Sequence, residues 1–331
     1  METALTLEEI YTPIESRLGH VSQRIAEILS SPNELARDVI RYFFSTRGKL
    51  LRPALACLGA GLKDITDPRQ ESRLIDLAAS LEIFHAATLI HDDIVDSAYL
   101  RRHIPTIHVK WGPDVAVLVG DYLHDKAMGA VFRNGDHKIF DLFLKTGGMV
   151  CDGEIRELKE KYNFDLEEDG YFEIIEKKTA SLLACAVTVG GILAGVSETE
   201  EAALVRFGKN FGKAFQIVDD CLDFTGNEHE FGKTLGADCS AGVVTLPVIR
   251  LIQVAEPSDK NEIAGMFKSG MSGGEFQRLL RMIRGYRTIE YSLEKAAEFS
   301  ALARSELGIF NESPARCSLG RLVDYILERN R

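Results

Sequence analysis

The chain has 331 residues, 45% hydrophobic and 27% charged, with a formal net charge of -11 at pH 7. That balance excludes a disordered chain, supplies apolar material for a large core and argues against a general nucleic-acid binder. Anionic ligands remain compatible with it if a local basic cluster and cations hold them.

The first residues, Met1-Glu2-Thr3-Ala4-Leu5-Thr6-Leu7-Glu8-Glu9, have neither the basic start nor the apolar block of a secretory signal. Cysteines at 57, 151, 185, 221, 239 and 317 form no Cys-x-x-Cys pair. They are expected to be reduced and buried, and the chain to be cytoplasmic. No transmembrane segment is expected, because the weakly polar run at 184–196 falls short of the roughly 20 residues a span needs.

Prolines mark the predicted helix boundaries, since a helix interior tolerates them poorly. They stand at 13, 32, 53, 68, 105 and 113, then at 247, 257 and 314, which leaves 114–246 to run as several long helices. Ser31-Pro32-Asn33-Glu34 and Ser197-Glu198-Thr199-Glu200 offer N-cap residues ahead of apolar-periodic runs. Helical spacing joins Phe140, Leu142, Phe143, Val150, Ile155 and Leu158, then Ile174, Ile175, Leu182, Leu183 and Val187. Turn residues at 61–68, 225–227 and 269–274 separate the pieces. The pattern predicts an all-α fold in a single domain over 1–331, with the part after Pro257 serving as helical scaffold.

Asp-Asp-x-x-Asp occurs twice, as Asp92-Asp93-Ile94-Val95-Asp96 and as Asp219-Asp220-Cys221-Leu222-Asp223. On a helix the first and last Asp lie roughly 40° apart, with the middle one about 100° away. A lone cluster of this kind is as often a solvated acidic face. Here both copies follow apolar runs, 81–90 and 211–218, so the carboxylates are expected to look into a cavity. If the two helices face one another, six carboxylates converge, and hard divalent cations suit such a set best.

Basic residues surround the clusters. Arg101 and Arg102 follow the first, with a turn around Pro105 and Thr106, and guanidinium groups suit a diphosphate. Lys49 and Arg52 lie upstream in Gly48-Lys49-Leu50-Leu51-Arg52-Pro53, and Lys178 lies in Lys177-Lys178-Thr179-Ala180. After the second cluster, the loop 231–238 combines glycines that permit close backbone approach with Lys233. His20, His103, His108, His124, His137 and His229 receive no role.

In this order the residues resemble the trans-isoprenyl diphosphate synthases, or polyprenyl synthetases. That family's G-K-x-x-R-P, H-x-A-T-L-I-H-D-D-x-x-D, R-R-x-x-P-T, G-D-Y-L, K-T-A, F-Q-x-x-D-D-x-x-D and G-K-x-x-G-x-D fall at 48–53, 85–96, 101–106, 120–123, 178–180, 215–223 and 232–238. The resemblance implies a bundle of long antiparallel helices around a deep central cavity, and in most relatives a homodimer. It also implies condensation of an allylic prenyl diphosphate with isopentenyl diphosphate. Asp92, Asp96 and Asp219 would ligate magnesium, Asp223 would complete the second cluster, and Asp93 and Asp220 would support the metal set. Arg101, Lys178 and Lys233 would hold the allylic diphosphate. Lys49, Arg52, His85 and Arg102 would form the isopentenyl diphosphate pocket. Lys178, Thr179 and Gln216 would face the reacting carbons.

Two positions depart from the family pattern: Leu50 stands where Arg is frequent, and no Lys occurs near Val243, ahead of Thr245-Leu246-Pro247. The second removes one phosphate contact and is expected to weaken allylic binding. Small residues, Ala87 and Thr88, lie one turn below Asp92, and Phe84 and Leu81 lie deeper. A product longer than farnesyl, of medium-to-long chain, is therefore expected, with geranylgeranyl or farnesyl diphosphate as the alternatives. A terpene cyclase on the same architecture would not need the second cluster and the isopentenyl pocket. A non-catalytic subunit of a heteromeric synthase would typically lack an intact cluster.

Overall fold

Helices account for nearly all of the regular structure, as the periodicity predicts. The computed structural model describes residues 5–46, 48–63, 65–226, 235–269, 271 and 273–328. The first helices are α1 Leu7–Tyr11, α2 Glu15–Ile28, α3 Glu34–Phe43, α4 Leu51–Ala60, α5 Pro68–Val95 and α6 Ile107–Trp111. The middle ones are α7 Pro113–Arg133, α8 His137–Lys159, α9 Glu168–Ile175, α10 Ser181–Leu193 and α11 Glu198–Thr225. The last are α12 Ala237–Ser240, α13 Leu246–Val254, α14 Pro257–Ser269, α15 Gly273–Gly285, α16 Thr288–Glu306 and α17 Pro314–Glu328. A π-helical turn, Glu176–Ala180, joins α9 to α10.

Local chemistry sets these boundaries. Pro68, Pro113, Pro257 and Pro314 open α5, α7, α14 and α17, where a missing N–H costs nothing. The Asn33 side chain accepts from the Ala36 N–H at the start of α3, and Ser197 and Glu200 form a reciprocal capping box at α11. Among the described residues the strands are one short antiparallel pair, β1 Leu100–Arg101 and β2 Ile104–Pro105. The tight turn lies at Arg102 and His103, with φ of 50° and 65°, rather than at Pro105 and Thr106. Two consecutive positive φ values are what a two-residue hairpin requires.

The long helices α5 and α11 frame the interior. α5 packs on α7, α11 on α16 and α10, and α10 on α4. α10 is buried on almost every side, so its sequence shows no polar stripe. Among the described residues the helix with the length and apolarity of a membrane span is α5 rather than residues 184–196, and 67% of its apolar window is buried inside the protein.

Two expectations are corrected. Cys57, Cys185, Cys221 and Cys239 are buried, but Cys151 and Cys317 are exposed. Ile155 and Leu158 are 65% and 42% exposed, because the apolar residues of α8 occupy two of its faces and only one faces the core.

Candidate active site

The two aspartate clusters close their helices. Asp92 and Asp93 lie in the last turn of α5, with Asp96 as its C-cap, and Asp219, Asp220 and Asp223 end α11. The middle residues behave differently from their neighbours. Asp93 is buried, and its carboxylate accepts from Arg101 Nε at 2.8 and 2.9 Å, with Nη2 at 2.7 Å. Asp220 is buried too. Its Oδ2 accepts from the Tyr171 hydroxyl at 2.6 Å, and its Oδ1 accepts from Gln216 Nε2 at 2.7 Å. Gln216 Oε1 in turn accepts from the Thr179 hydroxyl at 2.6 Å.

The outer residues meet other partners. Asp96 Oδ1 lies 3.9 Å from Lys161 Nζ. Asp223 caps α12, accepting from the backbone N–H groups of Gly236, Ala237 and Asp238 at 3.1–3.2 Å. Burial, reinforced by Asp96 and Asp93 and opposed by Lys178 and Arg101, pushes the Asp92 carboxyl up to about 6. Burial pushes Asp220 up to about 7, against the hydrogen bonds from Tyr171 and Gln216. Burial and Asp220 hold the Tyr171 phenol well above its ordinary range, so it remains a donor.

Lys178 reaches this region from the π turn. Its Nζ lies 2.5 Å from Glu157 Oε2 and 3.0 Å from Glu154 Oε2, both on α8. Gly153 permits the approach, since a Cβ there would come 2.6 Å from the Lys178 backbone nitrogen. Burial opposes the Lys178 charge, yet Glu157, Glu154 and Asp92 together hold its pKa above the lysine range. Burial also raises Glu154 to about 7.

A second cationic group lies beyond the hairpin. Arg102 donates from Nη1 to the Thr46 carbonyl at 3.0 Å, so the adjacent arginines serve different neighbourhoods. The Lys49 carbonyl accepts from the Tyr11 hydroxyl at 3.1 Å, and Lys49 Nζ stands 5.8 Å from the centre of the Tyr325 ring. Arg52 keeps a buried Nε–H with no hydrogen-bond partner among the described residues. Burial lowers its pKa to about 10, against the pull of Glu82 and Asp92. Burial, then Arg52, Arg101 and Arg102, hold His85 well below its ordinary value. Lys233 lies outside the described residues, in 227–234.

The family model for Polyprenyl synthetase matches residues 33–283. The chain belongs to the polyprenyl synthetase family. It is 34% identical over 313 residues to a short chain isoprenyl diphosphate synthase of Methanothermobacter thermautotrophicus, covering 93% of this chain and 94% of that one. It is 29% identical over 327 residues to the octaprenyl diphosphate synthase of Escherichia coli, covering 99% and 100%. A solved polyprenyl synthase of Caulobacter crescentus, complexed with calcium and isoprenyl diphosphate, superposes with a TM-score of 0.94 at 28% identity over the whole of both chains. The protein is thus an all-α prenyltransferase of the trans-polyprenyl diphosphate synthase kind, and its relatives are named from short chain to nonaprenyl diphosphate synthases.

In this polyprenyl synthetase, α5 continues below Asp92 as a buried stretch. Ala87, Phe84 and Leu81 are all buried. The Phe84 ring lies 5.4 Å from the His124 ring of α7. On its other side it meets α8, where a Cβ on Gly147 would come 3.5 Å from the ring. Several residues that the sequence leaves unmarked belong to the site: Glu154 and Glu157 on Lys178, Tyr171 on Asp220, and Glu82. The last is a half-buried carboxylate whose pKa desolvation raises, against the pull of Arg52 and Arg102. For Glu154 and Glu157 the available signal is their i, i+3 spacing beside Gly153, which puts two acids on one helical edge.

Proposed function

We propose that this synthetase joins an allylic prenyl diphosphate to isopentenyl diphosphate, with magnesium, to make an all-trans polyprenyl diphosphate longer than farnesyl. The observation behind this reading is the division of labour between adjacent arginines. Arg101 pairs with Asp93 of the first aspartate cluster, whereas Arg102 turns to the Thr46 carbonyl and, with Arg52, offsets the charge of Glu82. Two separate anion sites suit a condensation of two diphosphates, whereas a cyclase needs one.

Magnesium fits the donor set. The six carboxylates do not converge into one cage, since among the described residues no three Asp, Glu, His or Cys side chains are grouped to hold a metal; substrate phosphates would have to complete the coordination, as they commonly do for magnesium. Burial is the main reason the Asp92 carboxyl is raised, and a divalent cation bound there would favour its charged form. Asp92, Asp96, Asp219 and Asp223 would hold the ions, with Asp93 and Asp220 supporting the set from behind. When bound, magnesium would supply Lewis acidity toward the departing diphosphate.

The protein's own groups do the rest. Arg101, Lys178 and Lys233 hold the allylic diphosphate while its C–O bond breaks and the electron pair leaves with oxygen. Thr179 and Gln216 turn oxygen atoms toward the allylic cation. Lys49, Arg52, His85 and Arg102 orient isopentenyl diphosphate so that its double bond attacks, and the released diphosphate takes the proton that restores the alkene. The orphaned Arg52 Nε–H is a donor awaiting an anion.

The chain is read as one domain, because a single apolar cluster extends from Ile10 to Ile326. Six free thiols suit a cytoplasmic enzyme. A homodimer is supported by the outward apolar residues of α7 and α8, among them Leu118, Phe132, Leu144 and Ile155. The experiment is elongation of geranyl, farnesyl and geranylgeranyl primers with radiolabelled isopentenyl diphosphate and magnesium, followed by product sizing. Chains longer than fifteen carbons are expected; cyclic hydrocarbon, or no product from folded enzyme, overturns the reading.

A further inference from the structure

The lysine absent from one loop has a counterpart on another. Position 243, where the family pattern places a lysine ahead of Thr-Leu-Pro, is valine here. The segment containing it is pinned to the connection between α8 and α9. The Tyr162 N–H donates to the Gly242 carbonyl at 2.8 Å. The Tyr162 ring lies so close to Gly242 that a Cβ at 242 would come 2.3 Å from ring carbon Cζ. Gly242 has φ +79° and Tyr162 φ +61°, and for tyrosine that left-handed conformation is costly. The contact is therefore held against local strain.

The residue before Tyr162 is Lys161. Its Nζ lies 3.9 Å from Asp96 Oδ1, and its side chain is 19% exposed against 43% for Asp96. A mostly covered ammonium thus stands beside the outer carboxylate of the first cluster, on a connection bonded directly to the residue before Val243. The separation is an ion-pair distance too long for a direct hydrogen bond. An ammonium on a four-carbon stem can swing to a phosphate oxygen by rotamer change alone.

We propose that Lys161 is a binding residue for the allylic diphosphate, supplying from the α8–α9 connection the positive charge that position 243 lacks. The inference rests on the placement of that diphosphate between the two aspartate clusters. It also accounts for the retention of Asp96 as a neighbour: the carboxylate holds the ammonium at the mouth of the site until substrate and cation arrive together.

The test is steady-state kinetics with magnesium, geranyl diphosphate and isopentenyl diphosphate. Lys161→Ala is expected to raise KM for the allylic primer about tenfold, the size of one charge-assisted hydrogen bond, and to leave KM for isopentenyl diphosphate within about twofold. Adding Val243→Lys to Lys161→Ala is expected to restore most of the loss, while Val243→Lys alone changes little. Inorganic pyrophosphate inhibition of Lys161→Ala gives a second readout that needs no substitution at 243, with Ki expected to rise about tenfold. An unchanged allylic KM and Ki in Lys161→Ala, or an equal rise for both substrates, overturns the proposal. Lys178→Ala separates the two levels. If it raises the allylic KM and Lys161→Ala does not, the Lys161 inference alone fails. If neither does, the placement of the diphosphate fails with it.

Discussion

Arg101 grips the carboxylate of Asp93 at 2.7–2.9 Å, one residue along the helix from Asp92. The pair is largely buried, with side-chain exposures of 21% and 4%. Two adjacent aspartates of one motif therefore have opposite energetic roles. Asp93→Asn leaves a covered guanidinium without its counter-charge and is expected to destabilise the fold by about 3 kcal/mol, lowering Tm as well as kcat. Asp92→Asn removes a carboxyl whose charge burial disfavours despite Lys178 and Arg101, so it is expected to leave Tm unchanged or higher while reducing kcat at least about a hundredfold. Calorimetry and kinetics on both variants check this; equal Tm losses would show that the two residues are interchangeable.

The chain of hydrogen bonds from Tyr171 through Asp220 and Gln216 to Thr179 has a directional consequence. Asp220 accepts from the Tyr171 hydroxyl on Oδ2 and from the amide NH2 of Gln216 on Oδ1, which leaves Gln216 Oε1 on the Thr179 side. Tyr171 is then a positioning residue that acts through Gln216. Tyr171→Phe is expected to lower kcat about tenfold with both KM values within about twofold. In a Gln216→Leu background the same change should add less than about twofold, because the group it orients is gone. Additive losses in the double variant would refute the coupling.

His85 makes stability depend on pH with a definite sign. Burial and three arginines hold it neutral in the native state, whereas the unfolded chain takes up the proton near pH 6.5. Below that pH the unfolded state binds more protons, so stability falls as pH drops toward the lowered native value, at up to about 1.4 kcal/mol per pH unit. Glu82 is shifted upward and contributes with the opposite sign, but it is present in both proteins and largely cancels in a comparison. His85→Gln cannot take the proton, so its Tm advantage over wild type should grow between pH 6.5 and 5 and stay constant above pH 7. Parallel curves across that range would exclude His85 as the source.

The sequence shows the clusters because Asp-Asp-x-x-Asp repeats and because its flanks are apolar; the all-helical class follows from spacing and proline placement. What it leaves unmarked is contact between helices. Glu154 and Glu157 reach Lys178 from α8, and Tyr171 reaches Asp220 from α9, and pairings across elements leave no period in a chain. Ile155 and Leu158 illustrate the same limit: helical spacing identifies a face but not whether that face is inside or outside. The two-residue turn at Arg102 and His103 escapes notice because it contains no Gly, Asn or Asp, the residues that usually mark such turns.

Chain length is expected to follow from Phe84. It lies two turns below Asp92, about 12 Å along the helix axis, and is buried between His124 of α7 and Gly147 of α8. Ala87, one turn higher, is buried as well but occupies little volume. A growing chain that runs down α5 from Asp92 would pass Ala87 and meet its first bulky side chain at Phe84. Ala87→Phe raises the obstruction by one turn, about 5 Å, and should shorten the main product by about one isoprene unit. Phe84→Ala removes the deeper ring and should lengthen it by at least one unit, at a stability cost of about 3 kcal/mol for the cavity. Chromatography of radiolabelled products from both variants, with one primer at matched enzyme concentration, reads the shift directly. If both leave the distribution unchanged, the floor lies elsewhere and the α5 wall does not measure the product. Movement with Phe84→Ala but not with Ala87→Phe would place the chain on the α7 side of the helix, against His124.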